Sequence, residues 1–177
     1  MERKVNVPED VEVEVSDRGL KVSGNGNEVF KKLQHPLIEV ELENSNVVVR
    51  TKKDNKKIES ICRTFASKID SAVKGVTEGF EYRLRVVYRH FPVEVNVQGD
   101  RLVVSNFLGE RENREADILE GVQVKVDDED IVVSGADKEL VGQTAANIER
   151  KMQAPSSKDR RVFEDGIYIV KKPGKEG

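Results

Sequence analysis

A chain of 177 residues, 37% hydrophobic and 36% charged, has room for two modest cores beneath a heavily ionic surface. One cysteine and two histidines exclude an intrachain disulfide and a cysteine-rich zinc framework, and they point to a reducing, intracellular compartment. The opening MERKVNVPED lacks a signal-like apolar stretch and no run of about 18 uncharged apolar residues occurs, so a soluble, non-exported protein is expected.

In chain order, Pro8 leads into Val11 and Val13, an alternation typical of half-buried antiparallel strands, and SDRG at 16–19 reads as the turn after it. Leu20, Val22 and Ser23 resume the alternation. GNGN at 24–27 completes no dinucleotide fingerprint and reads as a flexible turn. His35, before Pro36, reads as a strand-end residue, and ENSN at 43–46 as another turn. Ile58, Ile61, Cys62, Phe65, Ile69 and Val73 then follow the three-four spacing of an amphipathic helix, with Thr51 and Asp54 resembling a capping box. Cys62 sits on that apolar stripe, a place for a small core residue rather than a reactive thiolate. Arg50, Lys52, Lys53, Lys56 and Lys57 crowd the helix start against its dipole, either as a solvated face or beside an anion. After the helix, Tyr82, Leu84, Val86 and Tyr88 alternate with Arg83, Arg85 and Arg89, so this extended segment has one apolar and one cationic face.

The second half repeats the first. Pro92, Val95 and Val97 follow Pro8, Val11 and Val13 at a spacing of 84, and Leu102, Val104 and Ser105 follow Leu20, Val22 and Ser23 at 82. QGDR at 98–101 and DDED at 127–130 fall where the first half has its turns; DDED lacks the glycine and distant glutamate of a calcium loop. His90, beside Phe91-Pro92, reads like His35. Val141, Thr144, Ala145, Ile148 and Met152 reproduce the helical stripe 83 positions on, with Ser134 and Asp137 in the places of Thr51 and Asp54. RVFEDGIYIV at 161–170 reads as two short runs around Asp165-Gly166, a dipeptide suited to a tight hairpin, with Phe163 and Tyr168 as core residues. The expected fold is α+β: two tandem, similar domains over 1–80 and 81–177, each an antiparallel β-sheet with one α-helix packed on it.

Charge separates the two ends. Residues 148–175 hold eight Lys and Arg against four acids, whereas residues 1–147 sum to -6 within a total of -3. An acidic body with a basic end suits a polyanionic partner. No GxxxxGK[ST], GxSxG, HExxH or CxxC is present, so no catalytic centre, cofactor, metal or small-molecule substrate is expected. What remains is cationic: Arg150 and Lys151 ending the second helix, then Lys158, Arg160 and Arg161, then Lys171, Lys172 and Lys175 around Pro173-Gly174. Basic groups on a rigid element, followed by a tail too polar to pack, suit the phosphate backbone of a folded RNA.

GVTEGFEY at 75–82, NFLGE at 106–110, VSGADKELVGQTAANIE at 133–149 and RVFEDGIYIVKKPGK at 161–175 together resemble the family of large-subunit ribosomal protein six, archaeal and eukaryotic type. The RxFxDGxYxxxK pattern and short chain point to its archaeal branch. The resemblance runs nearly end to end. It implies two similar α+β domains, the second carrying most contacts to large-subunit ribosomal RNA near the sarcin-ricin loop and the docking region of translation factors. Neighbouring large-subunit proteins are the other implied partners, and the cytoplasmic ribosome is the implied location. It also implies RNA-facing segments at Lys138 and Gln143 and in the run Lys158, Arg160, Arg161, Lys171, Lys172 and Lys175. The rival from another class is a non-ribosomal protein-protein adaptor whose sheets offer edge strands to peptides.

Overall fold

The computed structural model describes residues 1–88, 90–155, 157–158, 161–162 and 164–174. The chain separates into two compact units: Met1–Gly79 with Ala136–Lys138, and Phe80–Gly135 with Glu139–Gly177. Each has its own apolar core.

The first unit holds strands β1 (Glu2–Asn6), β2 (Val11–Ser16), β3 (Gly19–Gly24), β4 (Asn27–Lys31), β5 (Glu39–Glu43) and β6 (Asn46–Arg50), then helix α1 (Lys56–Thr77). They form two antiparallel sheets, β2-β3-β4 and β1-β6-β5. Alternation decides which face turns inward: Leu20 and Val22 of β3 and Val47 and Val49 of β6 are fully covered and meet Cys62 and Ile69 of α1. Tight turns join the strands. GNGN is one of them, the expected turn, with Asn25 and Gly26 at positive φ between paired Gly24 and Asn27. ENSN is built alike, with Asn44 and Ser45 at positive φ between paired Glu43 and Asn46.

The capping box expected at Thr51 and Asp54 does not form. Asn55 caps α1, its Oδ1 accepting from the Lys57 amide at 2.8 Å, while the Thr51 hydroxyl accepts from the Lys53 amide at 3.2 Å. An asparagine directly before the first helical residue satisfies one of the orphan amides, that of Lys57, and takes the capping place expected for the earlier pair. Gly79, at φ 76, ends the helix in the left-handed conformation that releases the chain into the second unit.

The second unit repeats the order with β7 (Phe80–Val87), β8 (Glu94–Gln98), β9 (Arg101–Ser105), a 3-10 turn at Phe107–Gly109, β10 (Arg114–Asp117), β11 (Val122–Asp127), β12 (Asp130–Gly135), α2 (Lys138–Lys151) and β13 (Gly166–Lys171). Its sheets run β10-β9-β8 and β11-β12-β7-β13, all pairs antiparallel. The class is the expected duplicated α+β fold, with each repeat's strands divided between two small sheets and one helix across them. Registers show how the copies match: Arg3 pairs with Val49 as Tyr82 pairs with Val133, so β7 stands where β1 stands. The segment 82–88 lies in the second unit, in the place that β1 holds in the first. Strand β13 has no counterpart in the first unit and occupies the edge of β7 that β1 leaves open among the described residues.

The hairpin expected around Asp165-Gly166 is also corrected. β13 starts at Gly166 and its partner is β7, some 80 residues earlier, not a local strand. Asp165 points inward, with no solvent exposure, so it serves as an anchor rather than a turn tip. Arg89, Arg160, Phe163 and Lys175 lie outside the described residues.

Candidate nucleic-acid interface

Helix α2 turns Val141, Thr144, Ala145 and Ile148 into the second core. Its opposite side carries Gln143, Asn147 and Arg150, spaced four and three apart and hence stacked on one face. Gln143 Nε2 donates to Asn147 Oδ1 at 2.9 Å, and an Arg150 guanidinium nitrogen donates to the same oxygen at 3.4 Å. Arg150 and Lys151 occupy the last turn, where the helix dipole favours cations. Lys138, the first helical residue, is exposed but lies five residues before Gln143, about 140° round the axis, so it does not share their line.

The end of α2 is held by Arg114 of β10. Its Nη1 donates to the carbonyls of Lys151 at 2.9 Å and Gln153 at 2.8 Å, and Nε and Nη2 fork onto Glu110 at 2.9 and 2.7 Å. The guanidinium also stacks 4.4 Å over the buried Phe107 ring. Glu110 is held below the usual carboxylate range chiefly by its hydrogen bonds from Arg114, against burial, with Lys158 nearby adding to the effect. Lys158 thus belongs with Arg150 and Lys151 at this end. It is half-buried, its amide bonded to the Pro155 carbonyl at 3.0 Å.

β13 starts at the same end. Gly166 bridges to Gln153, the Ile167 amide donates to the Met152 carbonyl at 3.1 Å, and the Ile169 amide donates to Glu149 Oε2 at 2.7 Å. The approach to the strand is pinned by Asp165, whose Oδ1 lies 2.7 Å from His90 Nδ1 and whose Oδ2 accepts from the His90 amide at 3.3 Å. Because 167 and 169 meet 152 and 149, the strand runs back along the helix. It carries Lys171 and Lys172 away from the end where Arg150 and Lys151 lie. Both lysines are exposed, as is Arg161 in its turn, whereas Arg160 and Lys175 lie outside the described residues.

The expected cations among the described residues therefore do not form one cluster: Arg150, Lys151 and Lys158 lie at the end of α2, Lys171 and Lys172 at the end of β13, Arg161 in a turn and Lys138 at the start of α2, while Gln143 shares the outer α2 face with Asn147 and Arg150. Sequence reading missed Arg114, Glu110, Asn147, Glu149 and the His90–Asp165 pair. Glu110 and Arg114 do stand four apart in ERENR, but the carbonyls that Arg114 reaches lie 37 and 39 residues away and leave no local trace. His90 is more than the strand-end residue expected, because its partner is distant too. The lysines at the start of α1 are all exposed, a solvated face. Among the described residues no group of three or more His, Cys, Asp and Glu could hold a metal ion, and no helix is long and apolar enough to cross a membrane.

The model of the family described as ribosomal protein L6 matches residues 91–166. The large ribosomal subunit protein uL6 of Methanococcus vannielii is 43% identical over 172 residues, 97% of this chain and 94% of that protein. Its counterpart in Haloarcula marismortui is likewise 43% identical over 172 residues, 97% of this chain and 96% of that protein. At such identity, along almost the whole of both archaeal relatives, the chain belongs to the ribosomal protein L6 family, in its archaeal form.

Proposed function

We propose that this chain is a structural component of the large ribosomal subunit, working in the cytoplasm within the ribosome, where its second unit docks on folded large-subunit ribosomal RNA. The end-to-end likeness to two large-subunit proteins carries this reading. Those relatives bear the names of ribosomal proteins, not of enzymes, and the chain performs no catalysis. The docking site is the region near the sarcin-ricin loop where translation factors engage. Arg150, Lys151, Lys158, Arg161, Lys171 and Lys172, with Arg160 and Lys175, neutralise phosphates. Lys138 and Gln143 meet the RNA from the start and face of α2. What supports this assignment is the rigidity behind the cations: Arg114, Glu149, and His90 with Asp165 fix the helix end and β13 before any RNA arrives. The first unit, which lacks the basic end, meets neighbouring proteins of the subunit.

The test uses the full chain with Lys151, Lys158, Lys171 and Lys172 changed to Gln. Binding to large-subunit ribosomal RNA is measured across salt concentrations, and incorporation by sedimentation with the subunit. The salt slope should fall by roughly one for each phosphate left without its lysine, and incorporation should weaken. An unchanged slope with normal incorporation would sink the electrostatic reading. The adaptor reading requires peptide binding that barely responds to salt.

A further inference from the structure

The four-stranded sheet of the second unit has two faces, and the interface above accounts for only one edge of it. Leu84, Val86, Ile131, Val133 and Ile167 point into the core. The other face is exposed, and the strand registers fix who stands beside whom there. Lys125 of β11 pairs with Val132 of β12, Val132 with Arg83 of β7, and Arg83 with Lys171 of β13. One row across all four strands thus carries three exposed cations and a single valine.

Lys171 reaches that row only because the strand is irregular. Ile167 and Ile169 pair with Val86 and Leu84 on the core face, so in an unbroken strand residue 171 would face inward like them. The register instead shifts between Ile169 and Lys171, leaving Val170 as the extra residue, 48% exposed, and setting Lys171 opposite Arg83. Re-aiming one side chain at a sheet edge is a recognised use of a bulge. Here it lifts a lysine from the core side to the solvent side.

The rows on either side carry acids. Asp127, Asp130, Arg85 and Tyr168 form one, with Arg85 Nε 3.4 Å from Asp130; Gln123, Ser134 and Glu81 form the other, with Arg83 Nε 2.8 Å from Glu81. Both ion pairs are more than half exposed on the arginine side, where screening leaves them weak. The positive charge is therefore concentrated in a line about 15 Å long, the width of four strands, running across the strands and flanked by negative rows. Such a line accepts a linear polyanion lying along it and repels one lying beside it.

We infer that the outer face of the β11-β12-β7-β13 sheet is a second RNA-docking surface, on which a ribose-phosphate backbone runs across the strands over Lys125, Arg83 and Lys171. The inference rests on the proposed docking to ribosomal RNA and extends it to a face that, of the terminal cations described, Lys171 alone is argued to share. Lys171 and Lys172 join the two surfaces, so one RNA segment passes from the sheet to the strand end.

The experiment compares three versions of the full chain: R83Q with K125Q, the charge-retaining R83K with K125R, and K151Q with K158Q. Each is titrated with large-subunit ribosomal RNA over a range of salt, with backbone footprinting on the bound RNA. R83Q/K125Q should lower the salt slope by about two and erase a footprint separate from that erased by K151Q/K158Q. R83K/K125R should keep both, which excludes misfolding as the cause. If K151Q/K158Q weakens binding and R83Q/K125Q does not, the sheet surface is refuted while the proposed function stands. If neither changes binding, the proposed function fails as well. If R83Q/K125Q leaves RNA binding intact but blocks entry into the subunit, the face meets an acidic protein surface and the inference is overturned.

Discussion

Changing Arg114 to Lys tests whether the end of α2 is held as the geometry implies. The arginine makes four hydrogen bonds, two to the carbonyls of Lys151 and Gln153 and two to Glu110, and covers the Phe107 ring. A lysine has one nitrogen and no fork, so it can serve the helix end or Glu110 but not both. At least two hydrogen bonds disappear, each worth about 0.5–1.5 kcal/mol net, together with part of a stacking interaction of roughly 0.5–1 kcal/mol. The Glu110 limb is discounted because that side chain is 38% exposed. The expected local cost is about 2 kcal/mol, which corresponds to roughly thirty-fold faster opening. Two units need not unfold together, so a global melt is the wrong measure. Amide hydrogen exchange at Ile167 and Ile169 in the full chain reads the right place, because both amides bond to the end of α2. Exchange there within twofold of the parent would refute the clamp. Because the substitution keeps the charge, any accompanying loss of RNA affinity reports position alone.

Two further outcomes bear on the same region. In Gly166→Ala the new Cβ would meet the Met152 carbonyl oxygen at 2.7 Å and the Tyr168 ring at 3.0 Å, so β13 must shift at its first residue. A cost on the order of 1–3 kcal/mol, seen as faster exchange at Ile167 and weaker RNA binding, is expected; unaltered exchange would show slack at the strand start. Glu110, held below its ordinary range, contributes stability that is complete above the unfolded glutamate value of about 4.3 and is lost as pH falls through its own lower value. The difference in urea midpoint between the parent and E110Q should therefore stay constant from neutral pH down to about 4.5 and close only below it. A gap already closed at pH 6 would contradict this.

The sequence made some of this legible and hid the rest for identifiable reasons. The alternation of Tyr82, Leu84 and Val86 with Arg83 and Arg85 is a property of β7 alone and could be read directly. So could the stripes of both helices and the recurrence at 82 to 84 positions, because each depends only on near neighbours. The partner of β13 could not be read, since Gly166 to Lys171 pair with residues 83–87 and the intervening chain says nothing of the register. Asp165-Gly166 offered a plausible local turn, and the long-range sheet overrode it. The same limit concealed the bulge at Val170: Lys171 continues a regular pattern in sequence and departs from it only against its distant partner. Of the candidate site, the cations were visible as residue types, but not the grouping of Lys158 with the α2 end or the opposite course of Lys171 and Lys172.

The unequal edges of the two repeats set a timetable for synthesis. In the first unit, β1 has its one neighbour by residue 50, and α1 follows at once. In the second, β7 pairs with β12 only from residue 130 and with β13 only at 166–171, so one flank of a two-faced, apolar and cationic strand waits through most of that half of translation. The late arrival of a six-residue strand is then the step that shields the nascent repeat from joining a stranger's sheet.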